Sequence, residues 1–430
     1  MKTTLENIST SQSISSKLGV LLLIIFVVAC LPGEPPLSGR VEPNLRVLST
    51  SEEKLSESST QFAINLFQQL AKSSLSENQF FSPYSIHQAL AMTMNGNEGE
   101  VLQEFLEVLQ MQGMSLEDAN QAVKDLTNFL LEVDEKVKLN IANGIWYKEG
   151  YQVKPPFKAA ANRYFNAEVA PLDMFNPNSV NVINNWIAQQ TNNLIREMLD
   201  QIPSNAVMYL VNAIYFKGDW TYNFPKANTK KEKFRLRGDQ EIMVDMMDLK
   251  DASDMKLGFG HGATYLEIPY SSGQYSMGVL FNESGDLSQL APLLTLNNLR
   301  EWRNNAQERG IILKMPKFKI SYKMENMKND LMAMGLVRPF SFHPDNFTAL
   351  FSNPTDDLKI SRVIHQAFIE VDEKGTEAVA ATIVEVTERF SAGPSGPLRI
   401  TLDRPFIFFI QEKHSGAILF MGKLENPLEG

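Results

Sequence analysis

Helical spacing opens at Gln61, where Phe62, Leu66 and Leu70 recur every fourth residue with Ala63 and Phe67 beside them. Behind the candidate cap Ser59-Thr60, this predicts a first helix over 60–72. The same periodicity predicts helices over 85–94, 98–109, 115–131, 156–164, 179–191 and 322–334. Runs suited to buried or half-buried strands fall at 138–146, 208–216, 265–268, 276–281, 311–315, 406–410 and 417–420. Helices dominate the first half and strands the second, which favours an α+β class over an alternating doubly wound fold. From Thr376 the even positions Thr376, Ala378, Ala380, Thr382, Val384 and Val386 are small or apolar, whereas Glu377 and Glu385 stand at odd ones. With period two, one face of that segment is fit to enter a core. No proline interrupts it between His365 and Arg389, and the following Arg389-Phe390-Ser391-Ala392-Gly393-Pro394 has the composition of an exposed, protease-accessible loop. An ordinary strand followed by a loop satisfies the same pattern.

Composition narrows the picture. A chain of 430 residues with 43% hydrophobic and 21% charged residues supports a sizeable core, and no repeat or second Pro/Gly-rich linker divides 60–430. The formal net charge of −10 argues against nucleic acid or another polyanion as partner. Cys30 is the single cysteine, so an intrachain disulfide, a Cys₄ zinc site and a CxxC redox pair are all excluded. It ends a segment in which Lys2 and Lys17 precede the apolar run 18–28, about half a membrane span and therefore a signal peptide over 1–29 rather than an anchor. Val27-Val28-Ala29-Cys30 resembles the lipobox of bacterial lipoproteins, which implies acylation at Cys30, attachment to a membrane through that lipid, and display in the cell envelope facing the periplasm or the cell surface. The alternative is an ordinary signal peptide with Cys30 as a stray thiol. Residues 30–58 are polar and rich in Pro and Ser, and read as a flexible tether ahead of a folded part at 59–430.

Catalytic signatures are missing: the chain has no GxSxG, HExxH or GxxxxGK[ST], and Gly258-Phe259-Gly260-His261-Gly262 lacks the GxGxxG spacing. The five histidines, at 87, 261, 343, 365 and 414, never pair with acidic neighbours at a ligand spacing. No metal, no cofactor and no enzymatic activity are expected.

Many short stretches, in order, resemble the serpin family over essentially all of 60–430. They include Phe80-Phe81-Ser82-Pro83-Tyr84-Ser85-Ile86, Ala142-Asn143-Gly144-Ile145-Trp146, Ile183-Asn184-Asn185-Trp186 and the run from Val211 to Trp220. Later ones are Leu266-Glu267-Ile268-Pro269-Tyr270, Met315-Pro316-Lys317-Phe318, His365-Gln366-Ala367-Phe368, Asp403-Arg404-Pro405-Phe406 and Phe420-Met421-Gly422. The resemblance implies an α+β fold of three β-sheets and about nine helices with an exposed reactive-centre loop. It implies an inhibitory hinge in Glu373, Gly375, Thr376, Ala378, Ala380, Ala381 and Thr382, with the small residues retained. The family's usual loop length sets the scissile bond between Arg389 and Phe390, although Phe390 departs from the usual small residue there and the loop onward to Pro405 is long. It also implies a shutter of Ser82, Ser85, Asn212 and His365 and a breach marked by Trp220, Lys317 and Glu373. The implied function is suicide inhibition by a monomer, and an arginine bait suits a trypsin-like serine protease. A non-inhibitory serpin acting as a cell-surface binding protein is the alternative, and a hydrolytic lipoprotein is a third, less favoured class.

Overall fold

The two C-terminal strands, Phe406–Glu412 and Ile418–Leu424, are buried at every position. Covered on both faces, they read as continuous apolar runs rather than alternating ones. The computed structural model describes residues 42–429 except 74–76, 204–205, 239, 353–357, 361 and 377–395. Among them the strands join in two sheets, with nine α-helices around them, and the class is α+β.

The larger sheet runs in the order Gln79–Phe81, Ile418–Leu424, Phe406–Glu412, Tyr275–Phe281, Ala263–Pro269, Glu241–Gly260, Gln307–Pro316 and Leu398–Thr401, with Lys230–Arg235 added on Glu241–Gly260. Where three sheets were expected, hydrogen bonding fuses two of them through the 20-residue strand Glu241–Gly260. Its first part pairs with Lys230–Arg235, its last part with Ala263–Pro269, and the register against Gln307–Pro316 shifts between Leu249 and Ser253. Such an irregularity bends a strand and increases its local twist.

The second sheet has the order Phe318–Met324, His365–Val371, Gly375–Thr376, Met208–Asp219, Lys138–Lys148 and Glu168–Leu172. Helix Pro83–Met94 packs against a strand of each sheet, and eleven of its twelve residues are buried. That is the signature of a core helix. Ser82 caps it by accepting from the Ser85 N–H at 3.2 Å, with Pro83 at the first turn.

Two expectations need correction. The first helix is Thr50–Ser73, so the tether read over 30–58 is wrong from at least residue 50 onward. Ser49 and Glu52 form a capping box, the Ser49 N–H donating to Glu52 at 2.8 Å and the Glu52 N–H to Ser49 Oγ at 3.3 Å. Leu48, Glu52, Leu55, Ser56 and Ser58 are buried. The helix expected over 322–334 is in fact the end of strand Phe318–Met324 followed by the short helix Lys328–Ala333, because residues 318–324 pair along their whole length with His365–Val371. Cys30 and the signal segment lie outside the described residues.

Candidate functional site

The site is built where a two-residue strand wedges into the smaller sheet. Gly375 and Thr376 pair antiparallel with Asp219 and Gly218 on one side, and Thr376 pairs with Val371 on the other. A tight turn delivers them: Asp372 accepts from the Lys374 N–H at 2.8 Å and from the Gly375 N–H at 3.3 Å, and its own N–H donates to Gly375 O at 3.0 Å. Glycine is required at 375, since a Cβ there would stand 2.6 Å from Asp219 Cα and closer still to the Gly218 carbonyl. Thr376 is buried and its hydroxyl shares a hydrogen bond of 2.7 Å with Tyr270 Oη. Burial raises the Tyr270 hydroxyl well above the usual phenol range, with the Thr376 bond pulling the other way. The phenol therefore stays neutral.

Around this wedge the breach residues come together. The Trp220 N–H donates to Lys374 O at 2.7 Å, its indole Nε1–H donates to Asp372 O at 2.9 Å, and its ring stacks on Tyr270 with centroids 4.4 Å apart. Glu373, 4% exposed, accepts from Lys317 Nζ at 2.8 Å and from the Thr229 hydroxyl at 2.9 Å. Burial opposes its ionisation, but the lysine and the other donors prevail and hold the carboxyl below its usual range. The Lys317–Glu373 ion pair expected from sequence is present.

Past Thr376 the described residues supply no strand between Met208–Asp219 and His365–Val371. A small cavity of about 20 Å³ lies there, lined among others by Ile214, Phe216, Phe368, Ile369 and Thr376. Beneath the slot the four shutter residues also meet. The Ser82 N–H donates to His365 Nε2 at 3.0 Å, Ser82 Oγ donates to Leu419 O at 2.7 Å, and Ser85 Oγ donates to Asn212 Oδ1. As acceptor, His365 Nε2 must be unprotonated, and desolvation lowers the imidazole pKa to about 3. The neutral ring is locked in.

Three contributors were missed. Asn143 accepts from Asn212 Nδ2 at 2.6 Å and donates to Phe165 O at 2.9 Å, extending the shutter across a third strand. Tyr270 and Thr229 anchor the hinge. Asn143 and Tyr270 sit inside the motifs that carried the resemblance, which was the available signal; Thr229 sits in none. Of the remaining expected positions, Ala378, Ala380, Ala381, Thr382, Arg389 and Phe390 lie outside the described residues. No group of three His, Cys, Asp or Glu suited to a metal occurs among those described, and no described helix is long and apolar enough to cross a membrane.

The family model for serpins (serine protease inhibitors) matches residues 57–427. The chain belongs to the serpin family. Relatives of this serpin include an uncharacterized serpin-like protein of Methanosarcina acetivorans, 32% identical and covering 95% of this chain and 97% of that protein. Others are human Serpin B4, 34% identical over 87% of this chain and 99% of that one, and leukocyte elastase inhibitor A of Rattus norvegicus, 33% identical over 87% and 100%. Among solved structures, human thyroxine-binding globulin complexed with thyroxine superposes with a TM-score of 0.78 at 26% identity, covering 88% of this chain and 99% of that one. The thermophilic serpin tengpin in its native state gives 0.77 at 29% identity, covering 90% and 98%. Serpins are generally protease inhibitors rather than enzymes.

Proposed function

We propose that this serpin is a suicide-substrate inhibitor of trypsin-like serine proteases, with Arg389–Phe390 as the bait bond. The observation that supports the reading is the seated wedge Gly375–Thr376, paired on both sides between the strands Met208–Asp219 and His365–Val371. Loop insertion as such is inherited from the family. Its register here follows from the wedge: six residues beyond Thr376, continuation of both pairings sets Thr382 between Asn212 and His365. Period two then turns Ala378, Ala380 and Thr382 toward the core, as Thr376 is turned, and leaves Glu377 and Glu385 on the other face. Protease serine attacks the Arg389 carbonyl and forms an acyl-enzyme. Insertion over about fourteen residues at ~3.3 Å each moves the attached protease roughly 46 Å, and its distortion stalls hydrolysis. A protease whose specificity pocket holds a carboxylate pairs with the Arg389 guanidinium.

The proposal extends to the N-terminus, where acylated Cys30 tethers a monomeric inhibitor to the envelope. Labelling with a fatty acid that is lost in Cys30→Ser tests that part. For inhibition, the full chain is mixed with trypsin, resolved by denaturing electrophoresis and analysed by intact mass. A stable band at the summed mass, with release of the peptide beginning at Phe390, supports the reading. Clean cleavage by trypsin that stays active refutes it for this class of protease. The likeness to thyroxine-binding globulin favours a second reading, a non-inhibitory binding protein. That reading predicts cleavage without a covalent complex for every protease tried.

A further inference from the structure

Charge is unevenly placed on this chain. Strand Lys230–Arg235 and the strands laddered to it in turn fall in residues 226–250, 307–317 and 398–401, which carry eleven basic and six acidic side chains. That is a net of +5 where the whole chain is −10, so the remainder is −15. Six of the eleven basic residues crowd into 226–237, against Glu232 alone. In the ladder Lys231 faces Asp245, Lys233 faces Met243 and Arg235 faces Glu241. The alternate residues Phe234, Val244 and Met246 are fully buried in a small core of their own, so Lys231, Lys233 and Arg235 project together into solvent. The ion pairs Lys231–Asp245 at 3.0 Å and Lys233–Glu241 at 2.6 Å are exposed on both partners, and such pairs hold weakly and leave the field of the excess basic residues in place. Met243, 51% exposed, stands between them. A flexible apolar side chain ringed by charges of both signs has the composition of a protein interface, whereas a polyanion or an anionic lipid surface would be repelled by Glu241 and Asp245. This face also adjoins both anchors of the bait segment. Thr229, next to Lys230, donates its hydroxyl to Glu373 at 2.9 Å. On the other side, three ladder steps at ~4.8 Å, about 14 Å in all, lead from Lys230–Arg235 to Leu398–Thr401. The nine residues from Arg389 to Leu398 reach at most ~32 Å, and a protease of ~230 residues has a radius of gyration of about 17 Å. A protease held at Arg389 is therefore large enough and close enough to lay its rim on the hairpin.

We infer that the exposed face of this hairpin, with Lys231, Lys233, Arg235 and Met243 at its centre, is a second docking surface for the protease. The partner it fits is an arginine-cleaving protease with acidic residues beside its active-site cleft. The hairpin takes no part in bond breaking: it draws the acidic rim in and orients it, and so selects among enzymes that share the same preference for the bait arginine. The inference rests on the reading of Arg389 as bait, but not on what happens to the acyl-enzyme afterwards.

The probes are anionic and cationic trypsin, which cut after the same residues but carry opposite net charge. Each is mixed with the full chain in about 0.05 M and about 0.5 M NaCl, where screening differs several-fold in range. The second-order rate of attack at Arg389 is read from loss of intact chain, counting covalent complex and cleaved chain together. It is divided by the same enzyme's kcat/KM on a small neutral arginine peptide, which cancels intrinsic differences. Anionic trypsin should be faster by about tenfold or more at low salt, and by no more than about twofold at high salt. The triple variant Lys231→Gln, Lys233→Gln, Arg235→Gln should bring the low-salt ratio within about twofold while its urea midpoint stays close to wild type, since all three side chains are exposed. Arg235→Gln alone keeps both ion pairs intact and should lower the ratio by about two- to threefold. The inference is overturned if the wild-type ratio is already within twofold at low salt, or if the folded triple variant keeps the wild-type ratio. Equal trypsin rates, with retention of wild type but not of the triple variant on dextran sulfate, would assign the face to a polyanion and overturn it as well. Complex yield is scored separately: a charge-dependent rate of cleavage without covalent complex supports the docking surface and refutes the inhibitory reading. Absence of attack at Arg389 by either trypsin removes the bait and this inference together.

Discussion

Replacing Thr376 with arginine tests the inhibitory reading at its most exposed point. The wild-type side chain is 3% exposed, and its hydroxyl bonds Tyr270 at 2.7 Å. An inserted arginine would place a guanidinium beside the neutral Tyr270 phenol and the Trp220 ring. An unpaired buried charge costs about 3–5 kcal/mol and the lost hydrogen bond about 1 kcal/mol more. In the native state the Thr376→Arg variant avoids most of that cost by unseating the Gly375–Thr376 pairings. The inserted state has no such escape, because the whole strand must follow the wedge. At 1.4 kcal/mol per factor of ten, insertion slows by roughly 100-fold or more. Hydrolysis of the acyl-enzyme then wins, and the variant behaves as a substrate. Thr376→Val removes the hydrogen bond but adds no charge, so its insertion should slow by no more than about tenfold. The assay is the yield of covalent complex with trypsin on a denaturing gel, alongside the urea midpoint of each free variant. A Thr376→Arg protein whose complex yield stays within twofold of wild type, with the same fold, would refute the reasoning.

Three other outcomes follow from the same geometry. His365 and His87 titrate at about 3 and about 4 in the folded chain because of burial, both below the usual 6.5. The unfolded chain therefore binds more protons as pH falls below about 6.5, and stability drops by about 1.4 kcal/mol per pH unit for each ring; His365→Asn should halve that slope in urea titrations between pH 5 and 6. Lys317→Ala leaves the buried Glu373 carboxylate with the Thr229 hydroxyl and a backbone N–H but no counter-charge; since Lys317 is itself partly exposed, a loss of about 1 kcal/mol is expected in the unfolding free energy, and no loss would show that the pair is immaterial. Gly375→Ala should push the hinge off Gly218 and Asp219, break the Trp220 contacts to residues 372 and 374, and shift tryptophan fluorescence to longer wavelength; an unchanged spectrum would mean the wedge is not held by close backbone contact.

Periodicity determined much of this protein from the chain alone. The helix at Pro83–Met94 and the strands Met208–Asp219, Tyr275–Phe281 and Phe406–Glu412 announce themselves because each carries its own repeat of apolar positions. The start of the first helix did not, since residues 50–58 hold one large apolar side chain, Leu55, and are buried mainly through serines and the Glu52 carboxylate paired with Arg46. A local capping box was the legible sign. Strand Phe318–Met324 ran into a stretch with helical spacing, and only its long-range partner His365–Val371 decided where the strand ends. The site follows the same division. Motifs named the hinge, breach and shutter residues one by one, but that Ser82 meets His365 across 283 positions, that Asn143 joins Asn212, and that Thr376 reaches Tyr270 depends on sheet order and register. Those pairings are non-local: the apolar pattern tells each segment which face to bury, and only the assembled sheets tell it beside which neighbour.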